Sequence, residues 1–84
     1  MTQNDIRQEV LMVLTTIAPE VEAEDIRDDL LLRDQVDLDS MDWLNFLVGI
    51  HKRLHVEIPE VDYKSLRTLA DLVSYVRKRA ALHG

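Results

Sequence analysis

The spacing of apolar residues constrains the fold of this chain more than any other feature. In three stretches apolar side chains recur at helical spacing, and no stretch shows the alternation that is typical of a strand. These stretches cover 4–18, 40–54 and the residues from Thr68 onward, with Pro19 closing the first. A shorter stretch, Glu60–Ser65, has room for one or two helical turns. The sequence therefore predicts an all-α fold.

Residues that favour helix caps stand where these helices should begin. Asn4 is the predicted N-cap of the first helix, and either Asp39 or Ser40 is the predicted N-cap of the helix over 40–54. Thr68 opens the last helix, and Asp71 three residues later completes an arrangement that resembles a capping box.

The acidic segment 19–39 separates the first helix from the second. It contains nine Asp and Glu residues, but it also contains apolar residues that could anchor it: Ile26, Leu30, Leu31, Leu32, Val36 and Leu38. A long loop with its own apolar anchors is usually ordered and often functional. We therefore expect one domain over 1–84, folded as a four-helix bundle with three longer helices, one short third helix and a long ordered loop between helices 1 and 2.

Composition excludes several classes of function. The chain has no cysteine, which rules out disulfides, zinc–thiolate sites and a thiol nucleophile. Its net charge of −6 opposes nucleic acids and anionic membranes, and suits docking on basic protein surfaces. The N-terminus lacks the pattern of a signal peptide, and no apolar run is long enough to span a membrane. We expect a cytoplasmic monomer with no nucleic-acid partner and no membrane insertion.

The helix over 40–54 is apolar on nearly every side, which is unusual in a small bundle. One broad face consists of Trp43, Phe46, Leu47, Ile50 and Leu54. A second stripe consists of Met41, Leu44 and Val48. If the broad face is core, the stripe is an exposed surface on which a partner protein could dock. The alternative is that the long loop covers it, and the sequence leaves both open.

Ser40 lies between the acidic loop and this apolar helix. Taken alone, a serine here is most simply an N-cap. Its neighbours suggest more, because the run Asp39-Ser40-Met41-Asp42 resembles the Asp-Ser-Leu attachment motif of acyl carrier proteins. Four further segments resemble the same family in the right order: Leu30-Leu31-Leu32, Val36-Asp37-Leu38, Val56-Glu57-Ile58-Pro59 and Leu66-Arg67-Thr68-Leu69-Ala70-Asp71-Leu72.

The resemblance implies a carrier that is not itself an enzyme. A phosphopantetheinyl transferase would attach 4′-phosphopantetheine from coenzyme A to the Ser40 hydroxyl, beside Asp39, and the acyl group would be a thioester on that arm. Further partners would be an acyl-loading synthetase and acyl transferase or synthase enzymes, which would recognise Met41, Asp42, Leu44 and Val48. The acyl pocket would be lined by Phe46, Ile50, Tyr63 and Leu66, together with Leu72. Because these side chains are bulky, we expect a shallow or closed pocket that suits a short or polar cargo.

The chain also departs from the family pattern. Leu38 stands where a small residue is common, and Met41 stands where leucine is common. The acids that usually line the helix after the motif are replaced by Asn45, His51, Lys52 and Arg53. The departures favour a dedicated lipid or secondary-metabolite pathway over housekeeping fatty-acid synthesis. Two alternatives stay open: a carrier of aminoacyl or other small carboxylate groups, and an unmodified helical interaction module.

Other chemical signals are weak. His51 and His55 are spaced i, i+4, but no carboxylate or cysteine completes a metal site. The acidic loop lacks the central glycine of an EF-hand. No base is placed to activate Ser40 in a recognisable triad, so we expect neither a metal nor a catalytic residue.

Overall fold

The computed structural model describes residues 3–83, and it describes side chains for residues 4–80. Three long helices dominate: α1 (Gln3–Ile17), α3 (Ser40–Leu54) and α4 (Leu69–His83). A one-turn helix, α2 (Leu32–Gln35), lies in the long loop, and two 3-10 helices cover Ala23–Asp25 and Glu60–Ser65. Within residues 3–83 there is no strand, although an isolated antiparallel bridge joins Leu31 to Thr68. The predicted all-α bundle is confirmed, and α2 is an addition to it.

The predicted helix starts agree with the structure in two of three cases. The helix over 40–54 is confirmed, and Asp39 is its N-cap. At the start of α4 the Asp71 amide donates to the Thr68 hydroxyl (3.0 Å), and the Thr68 amide donates to the Asp71 carboxylate (3.2 Å). This reciprocal pair is the predicted capping box. The prediction that Asn4 caps α1 is wrong, because α1 begins at Gln3 and already includes Asn4.

A single apolar core joins the helices, with α1 packed against both α3 and α4. The largest side chains that are almost fully buried include Phe46, Leu47 and Ile50 of α3. Gly49 of α3 faces Val13 of α1 closely, since a Cβ atom built at Gly49 would stand 2.7 Å from Val13 Cγ1. Glycine at this position therefore sets the spacing of the two helices.

The acidic loop is held in place by buried apolar side chains and by contacts of Asp28 with α1 and α4. Its anchors Ile26, Leu32, Val36 and Leu38 are buried in the core, whereas Leu30 and Leu31 are nearly half exposed. The Nε and Nη2 atoms of Arg7 on α1 donate hydrogen bonds to the Asp28 carboxylate, and the Ala70 amide of α4 donates to the Asp28 carbonyl. The loop is thus an ordered connection between α1 and α3, as predicted.

None of the helices within residues 3–83 has the length and apolar character that a membrane crossing requires.

Candidate functional site

The start of α3 leaves the Ser40 hydroxyl free. Asp39 has extended backbone angles, and its side chain accepts a hydrogen bond from the Asp42 amide (2.8 Å). The Asp39 carbonyl accepts from the Trp43 amide (2.9 Å). Ser40 is therefore the first helical residue and not the cap. Its side chain is exposed, and within residues 4–80 its hydroxyl has no hydrogen-bond partner.

The electrostatic surroundings of Ser40 are mixed. The first amides of a helix have no intrahelical acceptor and carry the positive end of its dipole, which favours an anion there. The Asp39 side chain accepts from the Asp42 amide, and the Ser40 and Met41 amides have no acceptor within the described residues. The carboxylates of Asp39 and Asp42 oppose an anion, although that of Asp39 is engaged as the cap. An exposed, unpartnered hydroxyl at a helix start can accept a phosphodiester, so these residues fit a phosphopantetheine.

The stripe of Met41, Leu44 and Val48 is exposed, by 67 %, 41 % and 40 % of the respective residue surfaces. The loop therefore does not cover it, and of the two alternatives left open by the sequence the structure has the exposed one. Leu44 and Val48 follow Ser40 at i+4 and i+8, which places them in one row on the same helix face. We name this stripe the apolar strip.

Two open clefts lie between α3 and the 3-10 helix Glu60–Ser65, and Tyr63 lines both of them. The first has a volume of about 490 Å³ and is lined by Leu31, Arg33, Trp43, Tyr63, Lys64, Leu66 and Arg67. The second has a volume of about 370 Å³ and is lined by Leu47, Val48, His51, Glu57, Ile58, Pro59 and Tyr63. We name the first the Trp43 cleft.

Only some of the residues predicted to line the acyl pocket line a cleft in the structure. Tyr63 and Leu66 line the Trp43 cleft, whereas Phe46, Ile50 and Leu72 lie in the core and line neither cleft. Phe46 contacts a wall of the cleft, because its ring packs against that of Trp43 with 5.4 Å between centroids.

His51 and His55 lie at the end of α3. His51 donates from Nδ1 to the Val56 carbonyl (2.8 Å), and His55 is the C-cap in the left-handed conformation (φ 55°). No group of three or more His, Cys, Asp and Glu residues in the described part of the chain is arranged to hold a metal ion.

Comparison with known proteins identifies the family. The family model of the phosphopantetheine attachment site matches residues 8–76. The acyl carrier protein of Kineococcus radiotolerans is 32 % identical over 72 residues, which cover 82 % of this chain and 89 % of that protein. This chain belongs to the acyl carrier protein family.

Two further relatives extend the comparison. The meromycolate extension acyl carrier protein of Mycolicibacterium aurum is 31 % identical over 75 residues, covering 86 % of this chain and 77 % of that protein. The solved structure of the acyl carrier protein from Enterococcus faecalis has a TM-score of 0.75 at 23 % identity, covering 94 % of this chain and 99 % of that chain. At this identity the structural match shows the shared fold.

The resemblance predicted from the sequence is thereby confirmed. The protein is an acyl carrier with a covalently attached 4′-phosphopantetheine. Members of the family are carriers that work with biosynthetic enzymes.

Sequence reasoning missed the cations of the Trp43 cleft. Arg33 lies on α2, whereas Lys64 and Arg67 lie some thirty residues later, so no local spacing connects them. Trp43 belongs to the broad apolar face of the helix, and the structure leaves it partly buried, where it forms a wall of the cleft.

Proposed function

We propose that Ser40 carries the phosphopantetheine and that the protein serves a dedicated pathway as a monomeric, cytoplasmic carrier without catalytic activity of its own. The exposed, unpartnered Ser40 hydroxyl at the start of α3 is the observation that supports the attachment. When bound, the phosphopantetheine supplies a terminal thiol that holds the acyl group as a thioester. The chain has no cysteine, so this thiol has no competitor within the protein.

The residues around Ser40 would act on the modifying enzyme and on the attached phosphate. Asp39 fixes the start of α3 by capping it, and so holds Ser40 at a defined place on the surface. The helix start favours the negative phosphodiester. The carboxylates of Asp39 and Asp42 repel that phosphate, so we assign them to recognition by a basic surface of the transferase.

Intact-mass measurement tests the attachment. The unmodified protein, incubated with coenzyme A and a broad-specificity phosphopantetheinyl transferase, should gain one arm of roughly 340 Da. Ser40→Ala should gain none, and Ser74→Ala, at an exposed serine of α4, should gain the arm as the wild type does. Because Asp39 and not Ser40 caps α3, Ser40→Ala should change the free energy of unfolding by less than about 0.5 kcal/mol. A modified Ser40→Ala protein would overturn the assignment.

Docking of partner enzymes should use the apolar strip more than charge. Between Met41 and Leu54 the formal charges are one acid, Asp42, against Lys52 and Arg53, which leaves this helix at +1. Charge complementarity mainly sets encounter rates and discrimination between partners. Enzymes that select an acidic helix would therefore meet little attraction here. The relatives named for meromycolate extension support a role in a dedicated lipid pathway.

Two sets of variants test this docking. Leu44→Ala and Val48→Ala should lower the loading rate by the dedicated partner about tenfold, whereas Val61→Ala, at an apolar residue that is 85 % exposed outside α3, should leave it unchanged. The double variant Asn45→Glu with Lys52→Glu should speed loading by housekeeping fatty-acid enzymes. Equal rates for the Leu44 and Val61 variants would contradict a docking role for the strip.

A further inference from the structure

The Trp43 cleft combines an apolar floor with a basic rim. Leu31, Trp43, Tyr63 and Leu66 supply the apolar surface. Arg33, Lys64 and Arg67 stand around it, and all three are exposed. Three of the ten Lys and Arg residues of a chain with sixteen acids therefore meet at one cleft. Such a concentration of one charge at an apolar surface suits a ligand that is apolar along its length and anionic at one point.

No ion pair neutralises these three cations within residues 4–80. The ion pairs found in residues 4–80 use Arg7, Arg27, Arg53 and Arg79. None of them involves the cleft cations. In this part of the chain their side-chain hydrogen bonds go to backbone carbonyls: Arg33 Nη2 donates to Leu38 (3.5 Å), and Arg67 Nε donates to Lys64 (3.0 Å).

The Asp71 carboxylate lies next to Arg67 but is already engaged. The Asp71 carboxylate accepts from the backbone amides of Arg67 and Thr68, both at 3.2 Å, as part of the cap of α4. Only the Nε atom of the Arg67 guanidinium is engaged within residues 4–80, so its two Nη groups can meet an external anion. A planar guanidinium can bind a carboxylate through two parallel hydrogen bonds.

The cleft also lies beside the proposed attachment residue. Trp43 follows Ser40 at i+3, one helical turn into α3, so the cleft wall begins next to the arm. Arg33 contacts the carbonyl of Leu38, two residues before Ser40. A group carried on the arm can therefore fold back into the cleft without leaving the protein surface.

We propose that the carried acyl group ends in a carboxylate, so that its alkyl part packs on Trp43 and Leu66 while its terminal carboxylate pairs with Arg33, Lys64 and Arg67. This inference rests on the proposed attachment at Ser40. A plain alkyl chain gains nothing from the basic rim. An aminoacyl group, whose ammonium is cationic, is repelled by it, which disfavours the aminoacyl alternative.

A matched pair of cargoes tests the proposal. The transferase loads adipoyl or hexanoyl groups from their coenzyme A thioesters, and intact mass verifies the loading on Ser40. The two chains have equal length and differ in the terminal carboxylate. Trp43 is the only tryptophan, so its indole NMR resonance reports occupancy of the cleft. The adipoyl group should shift this resonance more than the hexanoyl group, with about a tenfold greater ratio of docked to free cargo.

Variants of the cleft arginines test whether their charges cause the larger shift with the adipoyl group. Arg33→Gln with Arg67→Gln should reduce the adipoyl shift to that of hexanoyl, and Arg77→Gln, at an exposed arginine of α4 outside the cleft, should leave it unchanged. Equal shifts for both cargoes on the loaded protein would overturn the proposal while leaving attachment at Ser40 intact. A charge-dependent shift caused by the arm without any acyl group would also overturn it, because the anion in the cleft would then be the phosphate.

A second measurement does not depend on the arm. The N-acetylcysteamine thioesters of adipic and hexanoic acid are titrated into the unmodified protein while the Trp43 resonance is followed. The adipoyl compound should bind about tenfold more tightly at low salt and lose this advantage at high salt. A ratio near one would overturn the proposal even if Ser40 proved not to be the attachment residue.

Discussion

Replacement of Gly49 by alanine should destabilise the protein, although alanine is the better helix former. In the middle of a helix this change is worth about 1 kcal/mol in favour of alanine. The added Cβ atom would stand 2.7 Å from Val13 Cγ1, well inside van der Waals contact. Valine in a helix has one strongly preferred rotamer, so Val13 cannot easily turn away. Overpacking of this kind costs about 1–3 kcal/mol, which leaves a net loss of about 1 kcal/mol.

The sign of the effect should reverse when Val13 is shortened. Val13→Ala alone should cost about 2 kcal/mol, because Val13 is buried and its removal leaves a cavity. In that background the methyl group added by Gly49→Ala enters the vacated space, so this substitution should stabilise by about 1 kcal/mol. Thermal and urea unfolding, followed by circular dichroism, measures the wild type, both single variants and the double variant. A loss of about 1 kcal/mol should lower Tm by about 4–8 °C. If Gly49→Ala is stabilising in the wild-type background, the close contact of α1 and α3 does not limit the packing.

Two further predictions concern α4. Burial, and then the hydrogen bond that the Tyr75 hydroxyl donates to Asp62 (2.6 Å), raise the pKa of Tyr75 above its ordinary value of 10.0. As the pH rises past about 10, Tyr75 therefore ionises more readily in the unfolded chain, and the folded state loses stability. Tyr75→Phe should flatten the resulting fall of the urea midpoint between about pH 9 and 11. An identical fall in both proteins would contradict this. Thr68→Ala should cost about 1 kcal/mol because it removes the cap of the Asp71 amide, whereas Thr68→Ser should retain most of that stability; equal urea midpoints for the two variants would argue against the cap.

Features that depend on neighbours along the chain could be predicted from the sequence, whereas features that depend on tertiary packing could not. Periodicity was sufficient for α3 over 40–54 and for the capping box of Thr68 and Asp71, because both depend on neighbours within one or two turns. The start of α1 was misplaced, since a capping residue such as Asn4 can also stand inside a helix. The turn α2 was missed because it is held partly by contact with distant residues, as in the Leu32 amide that donates to the Arg67 carbonyl (3.0 Å).

At the candidate site, too, the sequence predicts local features and leaves open those that depend on packing. The sequence placed Ser40 at a helix start but left open whether Asp39 or Ser40 was the cap, which depends on side-chain rotamers. It also left the apolar strip undecided, because burial depends on where the loop runs. Phe46 and Ile50 are predicted to line the cargo, and both are completely buried, which the spacing of apolar residues does not specify. The cap, the exposure of the strip and the burial of these side chains all depend on tertiary packing, which cannot be derived from the spacing of residues along one helix.

Peptide mapping of the modified protein tests the central claim most directly. Trypsin should release residues 34–52, and in this peptide Ser40 is the only side chain with a hydroxyl, since the peptide contains no threonine or tyrosine and no second serine. After treatment with coenzyme A and the transferase, this peptide should be heavier by roughly 340 Da, and the peptides that carry Ser65 and Ser74 should keep their unmodified masses. An unmodified 34–52 peptide from protein that has gained the arm elsewhere would contradict attachment at Ser40.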